Sequence, residues 1–242
     1  MSPMLLAVIP QPDPMPIPAP PWLVWFLLLL TFLLHLLPMN LLLGGSVLTS
    51  MSRHLGGSAG REHHEGLSKF FSKALPVTTA ATVTMGVAPL LLVQVLYGRV
   101  FFASSILMAW YWLAVIPLLC LGYYGTYLIA FKESKLGGAL PVVSWASTLM
   151  FVAIGFMFVN NMSLMLRPEI FLEKYQASAM GWHLNLGDPT LFPRFLHMLT
   201  GALAVTALVV MVGAPYIAGL ASWSEILLII VGLLLIAVEV LF

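Results

Sequence analysis

The chain is a succession of long apolar runs separated by short polar intervals, and run length decides the element type. About 18 or more apolar residues in a row cross a bilayer as a helix. Six runs qualify: Trp22–Thr49, Ala74–Tyr97, Phe101–Phe131, Pro141–Leu166, Pro193–Ala218 and Ser222–Phe242. They are continuous, not the roughly ten-residue apolar–polar alternations of a transmembrane barrel. The pattern predicts an all-α membrane protein, a bundle of about six transmembrane helices. The first and third runs are long enough to tilt or to extend past the lipid.

Met1–Pro21, ahead of the first run, is proline-rich (PQPDPMPIPAPP) and holds no lysine or arginine. Without a basic start and a small-residue cleavage site it does not read as a signal peptide. It is expected to form an extended, polyproline-like arm that ends where Trp22 and Trp25 reach the interface. The expected divisions are therefore an arm over 1–21, a five-helix bundle over 22–217 and an additional transmembrane helix over 218–242. Pro38, Pro76, Pro89 and Pro117 fall within predicted helices, where each frees a carbonyl and is a potential kink. Gly44, Gly45, Ser46, Gly122 and Gly125 provide small surfaces that admit either a neighbouring helix or a flat cofactor.

Composition narrows the class further. Hydrophobic residues make up 61% of the 242 and charged residues 8%, with a mean hydropathy of +1.02. A soluble domain carries roughly 45–50% and about 25%. A water-soluble globule and a disordered chain are excluded. So is a nucleic-acid binder, because the net charge is +1 and no basic patch is dense enough to hold a phosphate backbone. The one cysteine, Cys120, lies inside an apolar run, which excludes an intrachain disulfide and a cysteine-based zinc or iron–sulfur site.

Charge also orients the chain. Arg53, Arg61, Lys69 and Lys73 in the interval Ser50–Lys73, with Lys132 and Lys135 after the third run, stand on one side. Arg99, Arg167, Lys174 and Arg194 stand on the other. By the positive-inside rule the N-terminus is periplasmic and the chain is multi-pass in a bacterial inner (cytoplasmic) membrane. The outer stretch Arg167–Arg194 also carries Glu169, Glu173 and Asp188 and reads as a docking surface.

Ionisable residues inside a membrane are costly and mark function. His35 sits mid-run in FLLHLLPMN, His197 near the start of the fifth run in PRFLHML, and Glu225 and Glu239 in the last. A neutral imidazole in an apolar bundle suits iron ligation, and haem iron takes an axial histidine. The other reading is a core histidine bonded to a backbone carbonyl. His35 lies about 20 Å along its helix from Trp22, whereas His197 is roughly 5 Å inside its own outer end. Two ligands of one iron share a depth, so this register points to two centres, one deep and one shallow.

Arg194 stands one turn before His197, where it either binds a haem propionate or snorkels to the interface. Met162 and Met165 are at suitable depth for a thioether ligand at the shallow centre, or simply pack. His54, His63, His64 and His183 fall in expected loops. In REHHEG the two histidines are adjacent and cannot converge as an i, i+4 pair would, so a solvated polar loop is expected there.

These segments, taken in order, resemble the N-terminal half of cytochrome bd oxidase subunit I. LHLLPMNLLLGGSVL is similar to that family's first helix, with a haem-ligating histidine followed by proline and glycine. FFSKALPVTTAATVTMGVAPLLLVQVLYG matches the layout of its second helix. FVNNMSLMLRPEIF stands where its fourth helix ends, and DPTLFPRFLHMLTGALAV is similar to its fifth, which begins with the histidine of the low-spin haem b. The collinearity covers about residues 22–217 and rests on no single motif.

The resemblance implies a haem-binding bundle in which His35 ligates iron in the deep haem region and His197 the shallow low-spin haem b. The family's glutamates in helices two and three have no counterpart, since residues 74–131 contain no Glu or Asp. Nor does the resemblance reach the family's long quinol-binding loop and its later helix with the methionine ligand. The expected function is thus a membrane haem b electron-transfer subunit with one, two or more haems. Its partner would be a c-type cytochrome, a quinone or a neighbouring membrane subunit. The alternatives are a subunit of a bd-type quinol oxidase completed by a partner chain, and a cofactor-free structural or assembly protein.

Overall fold

The computed structural model describes residues 19–55 and 61–213, with side chains over 19–54 and 66–211. It is all-α: α1 (Pro21–Leu55), α2 (Arg61–Leu107), α3 (Ala109–Phe131), α4 (Glu133–Leu136), α5 (Leu140–Met165), α6 (Phe171–Ala177) and α7 (Leu191–Gly213). Single 3-10 turns at Gly137–Ala139 and Pro168–Ile170 join α4 to α5 and precede α6. Five spans within these elements are long and apolar enough to cross a membrane: Pro21–His54, Gly66–Leu107, Ala109–Phe131, Glu133–Met165 and Leu191–Met211. The chain is a multi-pass helical membrane protein. The proline-rich arm, the expected sixth span Ser222–Phe242 with Glu225 and Glu239, and the side chains of His63 and His64 lie outside the described residues.

Three expectations about boundaries change. The interval Ser50–Lys73 is not one loop: α1 runs on to Leu55 and α2 starts at Arg61, which places His54 in the last turn of α1. A helix that satisfies its own backbone has no reason to stop where the apolar residues stop. The third span does not begin at Phe101. Phe101–Leu107 continues α2 past a kink at Tyr97 (φ −124°, ψ 21°), and the chain breaks at Met108 instead. The break from helical dihedrals in α2 thus falls at Tyr97, not at Pro76 or Pro89.

Contacts divide the chain into two compact units. Among the described residues, the first contains 19–35, Met85–Pro117 and Ile154–Phe195. Its core is Leu107, Met108, Leu164 and Phe171, flanked by Tyr111, Trp112 and Leu184. The α2–α3 break at Met108 is held by the segment after α6. His183 N–H donates to the Leu107 carbonyl at 2.9 Å and Trp110 N–H to the Gly181 carbonyl at 3.3 Å. Gly181 has φ +73°, and an added Cβ would come within 2.9 Å of Ala109 Cβ. Both the conformation and the space demand glycine.

Among the described residues, the second unit contains 36–55, 61–84, Leu118–Ala153 and 196–213. Here the small residues are filled by protein. A Cβ on Gly44 would lie 2.5 Å from the Ala202 carbonyl of α7, one on Gly45 2.7 Å from the Phe71 ring of α2, and one on Gly122 3.0 Å from Phe151 of α5. Of the two uses open to these glycines, close helix packing is the one realised. Hydroxyls then bind the helices: Ser50 Oγ is 2.8 Å from Ser144 Oγ and 2.9 Å from Thr148 Oγ1, which itself donates to the Ser46 carbonyl at 3.1 Å. Where lipid is as apolar as leucine, such contacts replace the hydrophobic drive to associate.

Candidate functional site

His35 lies in the first unit, fourteen residues into α1. It is half-buried, and its ring rests on α2 at Gly86. A Cβ at Gly86 would stand 2.9 Å from His35 Cε1 and 3.1 Å from Nδ1, so any other residue there would push the imidazole away. Around the contact the two helices turn apolar side chains outward. Leu33, Leu34 and Leu37 of α1 and Val87 and Leu91 of α2 are all exposed. Pro38, three residues on, has no N–H to offer the Leu34 carbonyl.

His197 belongs to the second unit, six residues into α7. Its side chain is exposed, as is that of Arg194 one turn earlier. The His197 carbonyl accepts a bond from Thr200 Oγ1 at 3.0 Å. Met162 and Met165 stand half-buried near the end of α5, in the first unit. No group of three or more His, Cys, Asp or Glu side chains among the described residues is arranged to hold a bare metal ion. Haem needs no such group, since the porphyrin supplies four of the iron's ligands and the protein one or two.

The donor set suits haem at His35: an imidazole, a glycine opposite that leaves its ring room, and apolar surroundings. At His197 the donor chemistry suits it equally. The exposure of His197 and Arg194 means that a group ligated there would be enclosed from outside the described residues.

The most polar part of the first unit carries none of the expected ligands. Asn160, Asn161 and Ser163 of α5 are fully buried, with Asn185 and Asp188 of the following segment nearly so. Asn160 Oδ1 accepts from Asn185 N–H at 3.0 Å, and Ser163 Oγ donates to Asp188 Oδ2 at 2.6 Å. Thr190 donates to Asp188 Oδ1 from both its N–H and its Oγ1, each at 2.8 Å. The Ser163 hydroxyl, then the Thr190 N–H, hold the Asp188 carboxyl down at about 2 against the opposing effect of burial. Asp188 therefore faces inward and is not available to the docking surface expected in this stretch, whereas Glu169 and Glu173 are exposed.

Because the carboxyl is held below its ordinary value, its contribution is complete above pH 4 or so and fades as pH falls toward 2. Asp188→Ala should cost about 2 kcal/mol, the loss of charge-assisted bonds with Ser163 and Thr190 left unpaired. Thermal unfolding in detergent at neutral pH measures it, and a midpoint unchanged from the parent would show that the bonds contribute nothing.

Next to this network stand three buried polar atoms with no hydrogen-bond partner among the described residues: Asn160 Nδ2, Asn161 Oδ1 and Trp112 Nε1. Asn161 Nδ2 reaches Ser105 Oγ at 3.5 Å and Met108 Sδ at 3.9 Å. Sequence reading placed FVNNMSLM at a helix end without giving its asparagines a role. Two adjacent amides inside an apolar run were the available signal.

No family model matches the chain, and comparison with curated proteins and with solved structures returns no match to either.

Proposed function

We propose that the chain is a haem b electron-transfer subunit of a respiratory-type complex in a bacterial inner membrane. The observation that carries this reading is His35, an ionisable side chain at mid-span, half-buried and opposed by a glycine that its own ring requires. Such a residue in a membrane span marks function by default. The collinearity of residues 22–217 with the bd subunit I supports haem b as the group and His197 as the ligand of a second, shallow haem.

Bound haem would supply reversible one-electron chemistry at iron. The chain would do the rest: His35 and His197 each present an imidazole nitrogen, Arg194 offers a cation one turn from His197, and the apolar helices keep water away. Met162 or Met165 would offer a thioether. The exposure of His197 and the low burial of each span, 17–28% of its most apolar window, fit a subunit covered by neighbouring membrane chains. A c-type cytochrome or a quinone would then exchange electrons with the complex.

The test is a pyridine haemochrome assay on the complex purified from its native membrane, resolved by subunit. A b-type spectrum assigned to this chain is the expected result. A chain that is colourless within its intact complex overturns the proposal.

A further inference from the structure

The last turn of α1 and the first half of α5 border an open groove of about 380 Å³ in the second unit. Its walls are Pro141, Val142, Trp145, Ala146 and Leu149 of α5, with His54 at the α1 end. Pro141 to Leu149 is nine residues, about 12 Å of helix. Val142 and Leu149 are strongly exposed, at 70% and 61%, so the groove opens sideways and not into the bundle. An apolar trough that starts at a span end, runs about two turns inward and faces outward has the shape of a seat for a lipid chain.

The polar end of the trough is cationic. Arg53 donates to Glu133 at 2.9 Å and to Ser72 Oγ at 2.7 Å, which pins the α3–α5 connection to the last turn of α1. That bond consumes the carboxylate and leaves its neighbours unbalanced. Lys132 and Lys135 of the connection are exposed and have no ion-pair partner among the described residues. The imidazole of His54, next to Arg53, likewise makes no hydrogen bond among them. Lys132 and Lys135, beside the Glu133 that Arg53 holds, and the N–H donor of His54 complement a phosphate, whereas a neutral head would leave the lysines uncompensated.

We infer that this groove holds one anionic phospholipid, its phosphate at His54, Lys132 and Lys135 and one acyl chain against Val142, Trp145, Ala146 and Leu149. The site is independent of haem. It would place a negatively charged lipid at the junction that Arg53 and Glu133 close.

Brominated lipids test it, since bromine quenches only tryptophan that it touches. The full-length protein is placed in phosphatidylcholine vesicles with a minor fraction of brominated phosphatidylglycerol. The Trp145 signal is taken as the difference from Trp145→Phe. Two lysines at membrane-surface strength give an expected enrichment of roughly thirtyfold over the bulk mole fraction. The enrichment should vanish in Lys132→Gln/Lys135→Gln and in the groove-filling Ala146→Phe. Native mass spectrometry of the unaltered protein, showing one retained phosphatidylglycerol in preference to phosphatidylcholine, reads the same site without any variant. Quenching that follows the bulk mole fraction overturns the inference, as does equal retention of the two lipids. Displacement of the bound lipid by a short-chain quinone at comparable concentration overturns it in favour of a neutral occupant.

Discussion

Replacing His197 by alanine should remove the low-spin b band from the reduced spectrum almost entirely. His197 is the sole titratable side chain between Arg194 and the end of the described part of α7, and every neighbour for three turns after it is apolar or a hydroxyl. With that imidazole gone, nothing nearby on the helix can replace a nitrogen ligand. His197→Gly gives a sharper version, because imidazole added to the buffer can reach an exposed position and should restore the band. An unchanged reduced spectrum in His197→Ala would sink the assignment.

His35→Ala is expected to abolish a different band, since His35 stands fourteen residues into α1 and His197 only six into α7. Loss of the same band in both variants would instead put both imidazoles on one iron and end the two-centre reading. Gly86→Ala belongs to the same experiment. Its methyl would displace the His35 ring, so it should shift the His35-dependent band and leave the His197-dependent band in place.

Gly44→Ala should be the most destabilising single methyl addition in the second unit, at about 3 kcal/mol. The methyl would meet the Ala202 carbonyl at 2.5 Å and Thr206 Cβ at 2.8 Å. A backbone carbonyl cannot rotate aside as a side-chain tip can, so α1 and α7 must separate. Separation also stretches the bond from Thr206 Oγ1 to the Asn40 carbonyl, now 3.0 Å. Thr206→Ala in the same chain should return only part of the loss, because the Ala202 carbonyl remains. The unfolding midpoints of the two single variants and the double variant measure this. Full recovery in the double variant would show that the threonine alone, and not the backbone, sets the distance.

Much of the fold was legible because a membrane simplifies the problem. Continuous apolar runs of spanning length have one stable backbone solution, and so the helical class and the approximate spans could be read from hydropathy. Helix ends could not, because hydropathy reports where lipid stops and not where hydrogen bonding stops. The chain is still helical at His54 and from Arg61 onward, where the composition has already turned polar. The break at Met108 was hidden for the opposite reason. Residues 101–131 carry no charge and stay predominantly apolar, and what stops the helix is the segment around Gly181 and His183, which bonds to the peptide groups of Leu107 and Trp110.

The candidate site divides in the same way. That His35 and His197 are the ionisable groups of interest follows from their chemistry in an apolar run, which sequence contains in full. That His35 meets Gly86, and that His197 and Arg194 point outward, depends on which helix faces which. So does the inward turn of Asp188, a residue whose charge alone would put it on the surface. Sequence by itself determined that this protein lives in lipid as a set of helices and carries few costly ionisable groups, because those properties are sums over local composition. The tertiary structure alone decided which small residues receive a neighbour, which polar groups pair and where a groove remains, because these are properties of contacts between residues far apart in the chain.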